Sequence, residues 1–241
     1  MEHRIFNRTF LKQTEVSINF TPAIDSAIFK DKVAHFLKSY FNVDISNETD
    51  ANSSHLEILS DQTELGFYFE PSRVGFVIGQ KSYASFDRTA LPMLEKLKSF
   101  ISDVAKSTDI SKLSILKTNI WPIKSEDAYS DFSKMVRYTF QEHCVSDIIN
   151  YPVNTDNPQP FKLSKRLPEK VVKNSILDTK LSAEIISDVS ARLSLTFNAS
   201  TEQISVSDLI SKSLILNDLI YQEFIGTISD NIIDIMSREV L

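Results

Sequence analysis

The segment that most restricts this chain is a pair of β-rich runs, LGFYFE and RVGFVIG, joined only by Pro71-Ser72. A connection this short admits only an antiparallel hairpin. Helical patterns lie on both sides of it. Upstream, TEVSINF sets Val16, Ile18 and Phe20 on one face of a strand that Thr21-Pro22 ends. Ile28, Phe29, Val33, Phe36, Leu37, Tyr40 and Phe41 then recur at helical spacing, behind Asp25 or Ser26 as the cap. The polar stretch NVDISNETDANSSH reads as a loop and HLEILS as a strand. Downstream, KSYASF extends the second hairpin strand. Thr89 caps a helix over Ala90 to Lys106, with Leu91, Leu94, Leu97, Ile101 and Val104 in one stripe and Pro92 in its first turn. ISKLSILKTNIWPI is a strand ended by Pro122.

This order, strand, helix, strands, helix, strand, predicts an α+β fold whose N-terminal half, residues 1–124, is a ferredoxin-like βαββαβ unit. Residues 125–241 form a second α+β half, either separate or continuous with the first. Its opening, from Ser125 to Asn150, reads as helix or, in SKMVRYTF, as strand. NYPVNTDNPQP is an irregular connection. FKLSKRL, VVKNSILDTKLSAEIIS and SARLSLTFNAS read as antiparallel strands. Residues 206–238 then give one long amphipathic helix, with Gly226 as a possible bend.

Several chemistries lack their residues. Four glycines occur in 241 residues, and neither GxGxxG nor GxxxxGK[ST] can be written from them, which leaves only other nucleotide-binding solutions open. HExxH, CxxC and GxSxG are missing, and none of the four histidines has a partner at zinc spacing. No cofactor or metal is expected, and the reading leans away from an enzyme. A single cysteine, Cys144, excludes an internal disulfide, and neither a signal peptide nor a membrane span is visible. A cytoplasmic protein is the expectation. Charge is uneven. Residues 1–124 balance 15 basic against 15 acidic side chains, whereas residues 125–241 hold 11 against 17. The resulting acidity disfavours nucleic acid.

EVSINFTPAI, the hairpin followed by KSYASFDR, the strand SKLSILKTNI and the closing LNDLIYQEFIGTISDNIIDIM carry a resemblance. Together they resemble a sporadically distributed family of uncharacterised bacterial proteins of similar length. In that family an early strand leads into a helix, a Tyr and a second aromatic precede the second helix, and a Phe sits in the closing amphipathic helix. Ser114–Thr118 departs from the pattern by lacking Gly and Arg. The resemblance implies a bacterial accessory protein of the kind found in mobile or defence-associated gene sets.

Among candidate sites, the apolar stripe Leu216, Ile220, Phe224, Ile225, Ile228, Ile232 and Ile235 is wider than one helix face needs. It reads either as core or as a partner interface, with Asp218, Glu223, Asp230 and Asp234 as an acidic flank. Lys162, Lys165, Arg166, Lys170 and Lys173, near Phe161, are the one basic cluster. It is either an anion or single-stranded nucleic-acid patch or a solvated face. His143-Cys144 is a poor nucleophile–base pair, because adjacent side chains diverge. Asp87-Arg88 after Tyr83 and Phe86 reads as an anion-attracting cluster or a simple cap. Arg137, Tyr138 and His143 do not share a helix face. Trp121 is an interface anchor or a core plug. The leading expectation is a non-enzymatic interaction protein: an inhibitor, an antitoxin-like neutraliser or an assembly subunit, with a protein partner or self-association. The alternative is a ligand- or single-stranded nucleic-acid-binding module, and an enzyme of an unusual family ranks last.

Overall fold

Alternation along β1 (Leu11–Thr21) buries Val16, Ile18 and Phe20 on one side and leaves Glu15 and Asn19 partly exposed on the other. The same alternation organises every long strand of the chain. The structure is a computed structural model that describes residues 10–21, 23, 26–41, 54–59, 64–104 and 109–237. The NVDISNETDANSSH loop lies almost wholly outside the described residues.

The chain is a mixed α+β protein with an antiparallel sheet. After β1 come α1 (Ser26–Phe41), β2 (Ser54–Leu59), β3 (Glu64–Glu70), β4 (Arg73–Gly79), α2 (Leu91–Val104) and β5 (Asp109–Lys124). The second half adds α3 (Phe132–Thr139), α4 (Glu142–Ile149), β6 (Phe161–Arg166), β7 (Lys170–Val172), β8 (Ser175–Ser187), β9 (Ser190–Ile204), α5 (Leu209–Thr227) and α6 (Asp230–Ser237). Eight strands follow the order β2-β3-β4-β1-β5-β9-β8-β6, and β7 joins through β8. This path reads alike from both ends. β1 neighbours β4, which neighbours β3, then β2, while β5 neighbours β9, which neighbours β8, then β6. The two halves meet where β1 pairs antiparallel with β5, so one sheet runs through both.

Helices cover one face of that sheet. Phe36 of α1 and Phe100 of α2 meet Phe69, Phe132 of α3 meets Phe161, and Phe224 of α5 meets Phe197. The other face carries Tyr68, Arg73, Leu116, Thr118, Ile120 and Thr196, all partly exposed. Burying one face and wetting the other is the usual solution for an antiparallel sheet.

Four local expectations need correction. KSYASF does not extend β4: the chain leaves the sheet at Gly79, makes a tight turn over Gln80–Ser82 and a wide helical turn over Phe86–Ala90. The cap of that turn is Ser85, whose Oγ accepts from Arg88 N–H, and not Thr89, whose hydroxyl accepts from Ala84 N–H. Pro122 does not end its strand, since β5 runs to Lys124 and Pro122 sits opposite Arg192. The long C-terminal helix is two helices. Ile228 is extended (ψ 151°) because the link between α3 and α4 pairs with it: Ser229 N–H donates to Thr139 O and Gln141 N–H to Thr227 O. Gly226 sits just before the break but meets nothing. SKMVRYTF is helical within α3, with Met135 and Val136 buried.

Candidate functional site

In β5 the residues facing the helices are Leu113, Ile115, Lys117, Asn119 and Trp121. Three are apolar and suit a covered face, Asn119 is a buried polar side chain, and Lys117 is the one charge. It lies at the middle of the sheet, in a row that runs Ile78, Thr14, Lys117, Phe197, Thr179 across β4, β1, β5, β9 and β8. A cleft of about 1190 Å³ opens there, between the turn preceding α2 and the helix α5.

Two neutral groups hold the ammonium. Lys117 Nζ donates to Tyr83 Oη at 3.0 Å and to Asn217 Oδ1 at 2.6 Å. The rings of Tyr83 and Phe86 stand over it, each centroid 5.4 Å away. Among the described residues no carboxylate lies within ion-pair distance of it. Burial pushes the Lys117 ammonium down to about 7, opposed only by the more distant charge of Asp87. Burial also pushes the Tyr83 hydroxyl up, so that it stays protonated, and Asp87 adds to this.

Local structure explains how the cleft is built. Leu91 N–H reaches back to Phe86 O, one residue further than in an α-turn. Such wide turns recur at functional sites because they displace side chains from helical register. This one seats Phe86 inward and leaves Asp87 and Arg88 exposed on the rim. Asn217, 3% exposed, comes from the buried side of α5. Phe197, Ile220 and Phe224 line the apolar wall, and Lys173, Leu214 and Asp218 stand at the opening.

A second polar cluster lies on the open face. Arg73 donates to Glu15 Oε1 at 2.7 Å, to Ser17 Oγ at 2.9 Å and to Tyr68 Oη at 3.1 Å, and its guanidinium stacks 4.5 Å from the Tyr68 ring centroid. Tyr68 lies across Gly75, where an added Cβ would stand 2.1 Å from Val16 O and 2.3 Å from the Tyr68 hydroxyl. Burial, with Glu15 adding to it, pushes that hydroxyl up to about 12. Each charge in this cluster is answered within it.

Of the two readings of the C-terminal stripe, core or partner interface, the structure has the core one. Leu216, Ile220, Phe224, Ile228 and Ile232 are buried in the core, and Ile225 and Ile235 pack against it partly exposed. The stripe faces inward because α5 and α6 cover the second half of the sheet. On α5 the apolar side chains left exposed are Leu214 (39%) and Ile215 (36%). Glu223 is not part of a wet acidic flank: its side chain is 7% exposed and receives Lys170 in a close ion pair. The five basic residues are not one patch. Lys165 pairs with Asp147 at 2.5 Å, Arg166 lies 3.9 Å from Asp178, Lys162 is exposed on β6, and Lys173 reaches the cleft. His143 is exposed beside a buried Cys144 whose thiol burial pushes up. Arg137 lies 3.6 Å from Glu142. Trp121 packs between Phe10 and Phe140 in the core, beside a smaller cavity of about 520 Å³. The sequence reading does not reach Lys117 and Asn217, although Lys117 is the one charged residue in the Leu113, Ile115, Lys117, Asn119, Trp121 alternation. Among the described residues, no group of three or more His, Cys, Asp or Glu side chains is placed to hold a metal, and no helix is long and apolar enough to cross a membrane.

No family model matches the chain, and no curated protein does. Among solved structures the chain is similar to Methanococcus jannaschii TBP, at 12% identity over 88% of this chain and 97% of that one, with a TM-score of 0.30. A likeness that loose carries no function.

Proposed function

We propose that the protein is a ligand-binding module that takes a small anionic molecule into the cleft, with Lys117 as its charge partner. One observation carries this reading: the ammonium at the cleft floor is answered only by a hydroxyl, an amide oxygen and two aromatic rings. A desolvated cation without a counter-ion is costly, and a carboxylate or phosphate entering the cleft supplies the missing charge. Arg88 and Lys173 at the opening favour the same sign, while Asp87 and Asp218 restrict where it can sit. The cleft exceeds the roughly 300–1,000 Å³ of ordinary small-molecule pockets, and its apolar wall suits a ligand with a hydrophobic body. The N-terminal half serves as a ferredoxin-like unit with an added edge strand, which supplies the floor. The single buried thiol suits a cytoplasmic setting.

A protein partner is the second reading. It is favoured by Leu214 and Ile215, which stay exposed on the outward side of α5 beside the cleft. The protein would then be a bacterial accessory component whose ligand state is read by that partner. Calorimetric titration of the full chain with small aromatic carboxylates and phosphates separates the two. Binding that disappears in Lys117→Met, with that variant still folded, supports the ligand module. Absence of binding across the panel, together with a stable dimer in light scattering, contradicts it and leaves the interaction protein.

A further inference from the structure

Resting on the anion-binding reading, we infer that the Lys117 amine forms a reversible imine with a bound aldehyde or ketone that also carries an acidic group.

The geometry supplies what such a reaction needs. The nitrogen is fixed on the floor of a cleft wide enough for a small molecule, by Tyr83 at 3.0 Å and Asn217 at 2.6 Å. Phe86, Phe197 and Phe224 line the cleft and limit water around the nitrogen. No carboxylate among the described residues contacts the amine and fixes it as an ammonium. Lysines act as imine-forming nucleophiles when a hydrophobic setting leaves the amine uncharged. Burial does this here, holding the group at about 7 against the ordinary 10.5. At neutral pH a large share of Lys117 is therefore free amine, against roughly one in 10³ for an ordinary surface lysine.

The step balances without an oxidant or reductant. The nitrogen lone pair attacks the carbonyl carbon, a C–N bond forms, and the C=O π pair moves onto oxygen. One nitrogen proton passes to that oxygen. The Tyr83 hydroxyl, held protonated and within hydrogen-bond reach of the nitrogen, is placed to relay it. The second nitrogen proton leaves as the C–O bond breaks, and amine plus carbonyl has become imine plus water. Hydrolysis runs the same path backwards. In a ligand that carries a carbonyl, Arg88 and Lys173 at the opening take the acidic end in place of Lys117, so that the amine is not held protonated, while the body lies along the apolar wall. Tyr83 and Asn217 are thereby positioning residues for the amine.

The test uses the full chain with 4-carboxybenzaldehyde and sodium cyanoborohydride at neutral pH, and maps the reduced adduct by peptide mass. Terephthalate serves as the carbonyl-free competitor. The Lys117 peptide should label at least roughly 10-fold faster than peptides carrying exposed lysines such as Lys162, and terephthalate should slow it selectively. Lys117→Arg keeps the charge and the fold but should lose the fast label entirely. Tyr83→Phe should slow labelling roughly 10²-fold, more than it weakens terephthalate binding. Labelling of Lys117 no faster than of exposed lysines overturns the imine. If terephthalate still binds in that case, only the imine fails; if it neither binds nor protects, the anion-binding reading fails as well.

Discussion

Arg73 and Lys117 are both cations held over the same sheet, on opposite faces and two strands apart. Arg73 meets Glu15, Ser17 and Tyr68 and is satisfied by its own neighbours. Lys117 has only neutral partners, two aromatic rings stand over it, and it lines a cleft. A planar guanidinium with several donors can serve as a scaffold that closes a polar cluster on itself. A point charge without a counter-ion, facing a cleft, is a site awaiting one. The difference lies in who completes the electrostatics: the chain itself on the open face, a ligand on the helix-covered face.

The sharpest way to break the first half of this comparison is Gly75→Ala. The new Cβ meets the Val16 carbonyl, which is backbone and cannot swing aside, so a loss of about 3 kcal/mol is expected in chemical denaturation. Lys117→Met should act in the opposite sense. Replacing a partly buried cation that has only neutral partners by an apolar side chain should stabilise the protein by about 1–4 kcal/mol near pH 6. The sign of its pH dependence follows from a folded-state value of about 7 against 10.5 unfolded. Between those values the unfolded chain binds more protons, so the stability of the unsubstituted protein rises with pH. The advantage of Met should shrink by about 1.4 kcal/mol per pH unit from pH 7 upward. A gain independent of pH would contradict the assignment.

Arg73→Met should cost about 1–2 kcal/mol, because Glu15 and Tyr68 lose a charged partner at a partly exposed site. Tyr68 gives this cluster its own signature. A hydroxyl raised to about 12 contributes stability that is fully present below pH 10 and is lost as pH climbs through 12. The two regions therefore drive stability in opposite directions across the alkaline range, upward through Lys117 and then downward through Tyr68. The smallest effect belongs to Asn217→Ala, about 1 kcal/mol. Its amide oxygen accepts from the charged form of Lys117, so its loss should lower the Lys117 midpoint further in a pH titration.

Strand alternation made most of the sheet legible. TEVSINF, LGFYFE, RVGFVIG and SARLSLTFNAS all lie in strands, because period-two burial needs only local residues. The wide turn at Phe86 was not legible, since its geometry depends on Ser85 capping a loop that tertiary packing places. Nor was the break at Ile228, which the distant Phe140-Gln141 segment imposes. The C-terminal stripe, core or partner face by its sequence, stayed open between the two for a related reason. A sheet this wide needs cover along its whole length, and the width was not visible before the two halves were seen to join. SKLSILKTNIW does contain the signal for the site, a lysine at the third of five alternating positions on one face. It becomes visible only once the covered face of β5 is known.

The most direct measurement is an NMR titration of the lysine side chains, with Lys117 assigned through Lys117→Arg, run with and without a small aromatic carboxylate such as terephthalate. A midpoint near 7 for Lys117, moving upward when the carboxylate is added, is the result expected of a cation that lacks its counter-ion. A midpoint near 10.5 that the carboxylate leaves unmoved would contradict it.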